Sequence, residues 1–457
     1  MGKEGTQTNV NNLTTGKSIA KQLVLFVIPI WLGTFFQQLY NAADAMFVGR
    51  FVGKAALAAV GGPTSQIVNL LVGVFVELAA GSSVIIAQYF GAKCDKKAGR
   101  AIHTAMAVAI ICGVFITAAG LVFSPILLRS MDVEGDVFKM ANTYLRIYFS
   151  GTLFITIYNM GSSALRALGD SKRPFYYLVS GCLTNIVLDY VLIRWVGWGV
   201  AGAAIATVIS EALSTVLIIR ALCHLSEDYR LHFKQITIHC GTLKRMLSIG
   251  VPEGMQQVLY SISNILIQTN IDGFGTDSIA AMSAYSKVDA FFWLTLESFG
   301  IAITAMAGQF YGAGRISGLK KSVRICLVIC AGIAVVISVL LLLVGRTLFG
   351  LFTDDPNVIT IAVQIQRLLV PSYIVFIFVI VLAGALRGMG HSFVPMFITL
   401  VGICLLRIIW IYSFVPLRPE LMTTLFSYPI TWVMTSLAFI VYYRKKIKDE
   451  ERLHCSA

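Results

Sequence analysis

The sequence predicts an all-α integral membrane protein with twelve transmembrane helices in two parallel-repeat six-helix bundles. Hydrophobic residues make up 57% of the 457 residues and charged residues only 13%, which is more apolar surface than a water-soluble globule could bury. Apolar runs of about twenty residues, enough to cross a bilayer, recur where charges are sparse. Two short motifs also return 221 residues later in the chain. Together these observations indicate a duplicated bundle of membrane-spanning helices.

Twelve apolar runs are predicted to span the membrane, six in each half of the chain. Strands of an outer-membrane barrel would alternate polar and apolar residues, and these runs show no such alternation, so helices are predicted instead. In chain order the runs lie at 23–46, 57–85, 101–124, 138–162, 174–194, 199–222, 246–270, 279–306, 323–346, 358–384, 393–416 and 423–443.

The repeat indicates one ancestral unit that was copied. Because each half has an even number of spans, both copies enter the membrane with the same orientation, as parallel repeats do. We expect an N-lobe at 1–222 with helices 1–6, a cytoplasmic linker at 223–245 and a C-lobe at 246–457 with helices 7–12. The motifs that keep the 221-residue spacing are Gln88-Tyr89-Phe90-Gly91-Ala92 with Gln309-Phe310-Tyr311-Gly312-Ala313, and Ala164-Leu165-Arg166 with Ala385-Leu386-Arg387.

Most of the 36 Lys and Arg residues lie in segments that face one side of the predicted membrane. Basic residues concentrate on the cytoplasmic side of membrane proteins, so both termini are predicted to be cytoplasmic and the protein to lie in the inner or plasma membrane. The formal net charge of +13 follows from the same bias. A nucleic-acid partner is therefore not expected.

The sequence carries no motif of nucleotide-driven or hydrolytic chemistry. Gly16-Lys17-Ser18 is similar to the end of a Walker A loop, but Asn11 stands where that loop requires its first glycine. HExxH and GxSxG motifs are absent, and the nine cysteines show no paired spacing. We expect no enzyme activity, no nucleotide, no cofactor and no metal except a possible Na⁺, with transport energy supplied by an ion gradient.

Polar residues within the spans mark a candidate pocket in the N-lobe, since each costs free energy in lipid unless it faces a cavity or a partner. Asn185 and Asp189 lie one helical turn apart in the fifth span. Carboxyl, amide and hydroxyl oxygens gathered at one place suit either a proton or Na⁺. The other members of the pocket are Gln37, Asn41 and Asp44 in the first span and Thr207 and Glu211 in the sixth.

Structural explanations for the same acids remain open. Asp44 could lie solvated near the outer surface, because it falls about 35 Å along a helix from Lys21. Asp189 could bond Asn185 or pair with Arg194. A bond from Glu211 to a neighbouring helix would equally account for that residue.

The C-lobe carries two polar stripes, one on the seventh span and one on the eighth. An aromatic ring between two acids, as in the second stripe, favours a lipophilic cation. Polar side chains also hold helices together, and Lys287 could neutralise its neighbour Asp289. With Gln37, Asn41 and Glu211, the candidate substrate-binding residues are Gln257, Tyr260, Asn264, Asp289, Trp293 and Glu297.

In combination these features resemble the multidrug and toxic compound extrusion (MATE) transporters, prokaryotic branch, over essentially the whole chain. The resemblance implies two six-helix bundles arranged as a V, which exchange H⁺ or Na⁺ for organic cations and other drugs. It rests on the two repeated motifs, on Thr15-Gly16-Lys17-Ser18 before Pro29, and on the run from Asp44 through Val48-Gly49-Arg50 and Gly53 to Leu57-Ala58-Ala59.

The resemblance also implies a set of ion-coupling residues in the N-lobe. Tyr260 and Phe376 stand where some sodium-coupled members keep C-lobe acids, which favours N-lobe coupling and mildly favours H⁺ over Na⁺. The implied set is Asp44 for the family's first-helix acid, Asn185 and Asp189 for its fifth-helix pair and Thr207 for its sixth-helix threonine.

The predicted function is that of a secondary active multidrug efflux antiporter that works by alternating access. It is expected to export organic, often cationic and lipophilic compounds as a monomer surrounded by membrane lipid. A flippase for lipid-linked precursors shares the broad architecture and is the alternative. At the 221-residue spacing Asn185 corresponds to Leu406 and Asp189 to Trp410, so an ion site is expected in the N-lobe alone.

Overall fold

The computed structural model describes residues 15–455, and nearly all of them are helical. The chain divides into two compact units. Unit 1 comprises Leu25–Gly254, and unit 2 comprises residues 255–455 with residues 15–24. The helices are α1 (Gly16–Phe51), α2 (Lys54–Gly61), α3 (Pro63–Gly91), α4 (Asp95–Ser130), α5 (Gly135–Ser150), α6 (Thr152–Ala167), α7 (Lys172–Asp189), α8 (Gly199–Cys223), α9 (Cys240–Asp272), α10 (Thr276–Gly312), α11 (Ile316–Phe349), α12 (Pro356–Leu369), α13 (Tyr373–Gly388), α14 (Phe393–Thr399), α15 (Leu406–Ser413), α16 (Leu421–Leu425) and α17 (Ser427–Cys455).

Ten of the twelve predicted spans fall on helical segments that are long and apolar enough to cross a bilayer, judged over residues 15–455. The runs at 138–162 and 246–270 are helical too, but they do not reach that measure. The first is divided at Gly151 into α5 and α6, which have 16 residues each. A Cβ on Gly151 would stand 2.5 Å from Val208 of α8, so the glycine lets α8 pack against the break. The second run lies in α9, which carries many polar residues.

Small residues bring the helices of unit 1 close together. A Cβ added to Gly81 of α3 would stand 2.6 Å from the backbone nitrogen of Gly250 and from the carbonyl oxygen of Met246, both in α9. A Cβ added to Gly250 would in turn stand 2.9 Å from the Cα of Leu78. Close backbone approach of this kind holds helices together where lipid is as apolar as the side chains.

The linker between α8 and α9 is folded onto unit 1. Leu225 is buried in the unit's core, and the Tyr229 hydroxyl donates a hydrogen bond to the Asp95 carboxylate. Burial, followed by the neighbouring Asp95, raises the pKa of the Tyr229 hydroxyl, which therefore stays protonated as a donor. The backbone N–H of His232 donates to His103 Nε2 at 3.1 Å. The segment that the sequence predicts to be a polar linker is thus held on unit 1 by buried side chains and hydrogen bonds.

The internal repeat is also present in the backbone. Lys93 and Gly314, 221 residues apart, have positive φ angles of 55° and 67°, and Gly169 and Gly390 have 86° and 88°. Left-handed residues of this kind end helices by turning the next N–H back onto a free carbonyl. The unit is therefore duplicated in conformation as well as in sequence. The closing bonds, 2.9 to 3.0 Å long, run from Cys94 to Tyr89, Arg315 to Phe310, Asp170 to Leu165 and His391 to Leu386.

Each half has a π-helical turn in the corresponding helix, but at a different place. Tyr190–Trp195 follows α7, whereas Leu400–Leu405 lies between α14 and α15. A π turn has i to i+5 hydrogen bonds and so takes up one residue more than an α turn. A π turn therefore changes the register of the side chains that follow it along the helix.

Candidate functional site

Three polar side chains from two helices meet in the interior of unit 1. Asp44 lies in α1, whereas Asn185 and Asp189 lie one turn apart on α7. Their exposed fractions are 7%, 1% and 0%, so the solvated alternative for Asp44 is wrong. The Asp44 carboxyl group lies next to both the Asp189 carboxyl group and the Asn185 side chain. The structure thus brings together the acids and the amide that the sequence singles out.

The oxygens of this group largely lack protein partners. Within residues 15–455, no hydrogen bond reaches Asp44 Oδ1, either carboxylate oxygen of Asp189 or either polar side-chain atom of Asn185. Two carboxylates buried side by side repel each other, and buried polar atoms without partners cost free energy. A proton or a cation bound between them removes both costs. Oxygen atoms are suitable ligands for a hard cation such as Na⁺.

Thr207 of α8 and Tyr144 of α5 add hydroxyl groups beside the acids. Thr207 Oγ1 donates to the Ala203 carbonyl at 3.0 Å, which leaves its lone pairs for another partner. Tyr144 lies within reach of Thr207 and close to both carboxyl groups. Its ring stacks on Tyr148, with centroids 6.0 Å apart. No sequence motif identifies Tyr144, although its place on the buried face of the amphipathic α5 is a signal that could have found it.

A small cavity in unit 1, about the size of one water molecule, adjoins this group. Glu211 lines the same cavity as Asn185 and Thr207, so the third N-lobe acid lies beside the buried polar group. The Ser210 hydroxyl bonds back to its own helix at 2.7 Å. The remaining lining residues are Tyr40, Leu178, Gly181, Cys182 and Ser214.

Gln37 and Asn41, the other N-lobe candidates, are exposed on α1. They lie about 10 and 5 Å before Asp44 along the helix axis, at 1.5 Å per residue. Among the described residues of unit 1, both side chains lie outside the buried group. Of the three polar candidates on α1, Asp44 is the one whose side chain is buried. If Gln37 and Asn41 contact the substrate as predicted, they do so on an exposed face of α1 and not in the buried polar group.

In unit 2, Asp289 of α10 is held in an aromatic network. The Trp293 ring nitrogen donates to Asp289 Oδ2 at 2.6 Å, and the Tyr373 hydroxyl donates to Oδ1. Tyr285 and Tyr373 share a further hydrogen bond of 2.7 Å. Lys287 is exposed and forms no ion pair with Asp289 among residues 15–455, so the alternative in which Lys287 neutralises Asp289 is wrong. The Asp289 carboxylate is stabilised instead by hydrogen bonds from Trp293 and Tyr373.

The other C-lobe candidates are more open. Gln257, Asn264 and Glu297 are exposed, and Tyr260 is half-buried. The two acids of the eighth span have different surroundings, because Asp289 is half-buried among aromatic donors, whereas Glu297 lies two turns further along α10 and is exposed. Asn264 instead accepts a hydrogen bond from Arg407 at 3.2 Å.

Comparisons with known proteins identify the family of the chain. The MatE family model matches residues 29–191 and 252–413. The probable multidrug resistance protein YoeA of Bacillus subtilis is 27% identical over 87% of this chain and 88% of its own. The probable multidrug resistance protein NorM of Thermotoga maritima is 25% identical over 85% of this chain and 84% of its own.

Solved structures share the fold. A crystal structure of MATE in the bent conformation has a TM-score of 0.90 at 23% identity and covers 97% of this chain and 99% of its own. An outward-facing multidrug resistance MATE family transporter of the MOP superfamily has a TM-score of 0.90 at 24% identity, covering 98% and 100%. The two segments matched by the family model are the two copies of the repeat and make up most of the chain. The chain therefore belongs to the MatE family, whose members are membrane transporters and not enzymes, and it has the MATE fold.

Proposed function

We propose that the chain is a secondary active exporter of organic, often cationic and lipophilic compounds, coupled to inward movement of H⁺ or Na⁺. The observation that carries this proposal is the buried group of Asp44, Asn185 and Asp189, whose oxygens largely lack partners within residues 15–455. The names of the relatives, probable multidrug resistance proteins, support the substrate class. The MATE fold supports the mode of transport.

Coupling runs through this group in the proposed cycle. In the state open to the outside, Asp44 and Asp189 take up the ion, which removes the repulsion between their carboxylates. Helices α1 and α7, which carry them, then repack, and the substrate loses its contacts and leaves. After the return to the inward-open state the ion is released to the cytoplasm. An ion-free pair is costly in an apolar interior, so release requires water to reach it.

The remaining parts of the proposal follow from the sequence. H⁺ is mildly favoured over Na⁺ as the coupling ion, although the same oxygens suit either. Both termini lie in the cytoplasm, because Lys and Arg are concentrated on that side of the spans. An N-lobe at 1–222 and a C-lobe at 246–457, joined by the linker at 223–245, form the transporting monomer.

A flippase for lipid-linked precursors would need several basic side chains facing its cavity, because such substrates carry phosphates. Four basic residues lie well inside the predicted spans, away from their ends: Arg146, Lys287, Arg367 and Arg407. Of these, the first three are exposed and only Arg407 is buried. Four such residues are few for a cavity that holds a phosphate-bearing lipid, and the names of the relatives favour drug export.

Imposed ion gradients across proteoliposomes test the proposed function. Purified protein is reconstituted into sealed vesicles, and ethidium transport is followed after a jump in pH or in Na⁺ concentration. We expect the H⁺ gradient to drive the dye and a protonophore to stop it, because the acid pair takes up the coupling ion. Protein-free vesicles are the control. Ethidium that responds to neither gradient, with fluorescent lipid that is translocated, would contradict export and support the flippase.

A further inference from the structure

The linker between α8 and α9 contacts one stripe of α4, and this contact has no part in the proposed coupling cycle. Asp95, Gly99 and His103 are spaced four residues apart, so they lie on the same face of the helix. The Tyr229 hydroxyl bonds the first of them. At the second, a Cβ would stand 2.3 Å from the carbonyl oxygen of Asp228, so the two backbones touch. The third, His103, bonds the linker through its ring.

The two ring nitrogens of His103 have partners whose roles are fixed. Nδ1 lies 2.7 Å from the Gly99 carbonyl oxygen, which can only accept, so Nδ1 carries a proton. Nε2 lies 3.1 Å from the backbone nitrogen of His232, which can only donate, so Nε2 carries none. Only the neutral imidazole satisfies both bonds. The contact between the linker and α4 therefore requires His103 without a second proton.

A proton added at Nε2 would break this contact. The Nε2–H and the His232 N–H would then face each other as two donors, 3.1 Å apart. His103 is only 6% exposed, and a buried donor without an acceptor costs free energy. The His232 ring is parallel to the His103 ring, with centroids 6.4 Å apart, so a proton on both rings adds repulsion. Imidazoles change their charge between about pH 5 and 8.

Charged and titratable groups lie near this contact on several elements. Asp95, the acid on the same stripe, lies about 12 Å from His103 along the helix axis. Within residues 15–455, no carboxylate is within ion-pair distance of His103. The end of α3 packs in the same core and has no charged residue in its last three turns. The groups on the other elements are Asp95 and Arg100 of α4, Asp228, His232 and His239 of the linker, and Arg166 of α6.

The same contact anchors the start of α9. The backbone N–H of His239, the residue before α9, donates to Thr104 Oγ1 at 3.3 Å, one residue beyond His103. Arg245, in the second turn of α9, donates to the Tyr89 hydroxyl of α3 at 2.9 Å. Release of the linker from α4 therefore leaves α9 held by α3 but without the anchor that precedes it.

We propose that His103 is a pH switch that holds the linker on α4 while its ring is neutral and releases the linker when the ring is protonated. This switch is separate from the proposed export function and does not depend on it. In the orientation proposed above the linker lies on the cytoplasmic side, so acidification of the cytoplasm triggers release. The freed segment runs from the end of α8 to His239.

Hydrogen–deuterium exchange of the full chain in detergent, followed by mass spectrometry, tests the switch. The N–H groups of His232 and His239 bond α4, so their exchange reports the contact directly. Exchange is recorded at about pH 7.5 and about pH 5.5, on either side of the imidazole range, and corrected for the intrinsic effect of pH. We expect linker peptides to lose protection by about tenfold or more at the lower pH, since a bond to a buried donor is lost. A peptide from the middle of α4 should stay protected.

Three variants separate His103 from the other titratable groups. His103→Gln offers an amide oxygen to the His232 N–H at any pH, so its linker should stay protected at both pH values. His224 also bonds the carbonyl four residues before it, at 2.7 Å, but in the described chain it takes no bond from the linker. His224→Gln should therefore lose protection as the wild type does. Asp95→Asn keeps an acceptor for Tyr229 without its titration, and it should do the same.

The assay uses neither a gradient nor a substrate, so a failed switch leaves the proposed export function intact. Equal protection of the wild-type linker at both pH values would overturn the inference, and so would equal loss in the middle of α4. A His103→Gln variant that loses protection on acidification, or that is less protected than the wild type at about pH 7.5, would also overturn it. So would loss of the pH response in Asp95→Asn or His224→Gln.

Discussion

The aspartates of the two units differ most clearly in how many hydrogen-bond donors reach their carboxylate oxygens. Both oxygens of Asp289 accept hydrogen bonds, from Tyr373 and Trp293. Neither oxygen of Asp189 has such a donor in the described chain, and Asp44 Oδ1 lacks one as well. A carboxylate held by two donors is a fixed part of the packing, whereas one without donors is available to an ion. This difference supports the proposal that coupling runs through unit 1, and it favours a structural role for Asp289.

Replacing Thr207 with Val keeps the shape of the side chain and removes one oxygen from the ion-coupling group. We expect gradient-driven ethidium export to fall about fivefold, the effect of one hydrogen bond worth about 1 kcal/mol. Thr207→Ser, which keeps the hydroxyl, should export at close to the wild-type rate. Initial rates in proteoliposomes with matched protein content make the comparison. Equal rates for the Val variant and the wild type would show that the Thr207 hydroxyl takes no part in ion coupling.

At the scale of helices, close packing depends on glycines that leave no room for a side chain. Gly81 lies against the backbone of Gly250 and Met246, so α3 and the first turns of α9 touch directly. Gly73 is in the same helix, and a Cβ there would meet nothing within 4 Å. The two glycines lie in the same helix, but Gly81 is packed against another backbone and Gly73 has open space beside it. They therefore form a matched pair for substitution.

Gly81→Ala should destabilise the protein by about 1–3 kcal/mol, because a methyl group placed against backbone atoms forces the helices apart. Gly73→Ala should be neutral or slightly stabilising, by about 0.4–1 kcal/mol, since alanine lowers the entropy of the unfolded chain. Thermal unfolding in detergent, followed by intrinsic fluorescence, measures both. A Gly81→Ala variant as stable as Gly73→Ala would mean that α3 and α9 are not in direct contact.

For the whole molecule, the elements and the duplication follow from the sequence because hydropathy, helix length and helix-ending glycines are local properties. The shared helix face of Asn185 and Asp189 was predictable for the same reason, since they are one turn apart, whereas their role in ion coupling stays a prediction. The surroundings of Tyr144 and Arg407 were not predictable, because they depend on which helices pack together. The π turn at Leu400–Leu405 adds a residue that no sequence pattern reveals. Burial of the linker likewise depends on tertiary contacts.

The two units of the molecule share backbone features but differ in the buried charged side chains that they carry. Repeated left-handed helix ends at Gly169 and Gly390 show the common frame. A buried acid pair marks unit 1, whereas unit 2 has an acid tied to aromatic donors and the buried Arg407. The two copies of the ancestral unit therefore carry different buried charged groups.

The most direct test of coupling through unit 1 compares Asp189→Asn with Asp289→Asn in proteoliposomes. Each variant is assayed for ethidium accumulation driven by an ion gradient and for ethidium exchange at equilibrium without a gradient. We predict that Asp189→Asn abolishes accumulation and keeps exchange, because the substrate path remains while the ion site is lost, and that Asp289→Asn keeps both. Full gradient-driven accumulation by Asp189→Asn, or its loss in Asp289→Asn alone, would contradict the account.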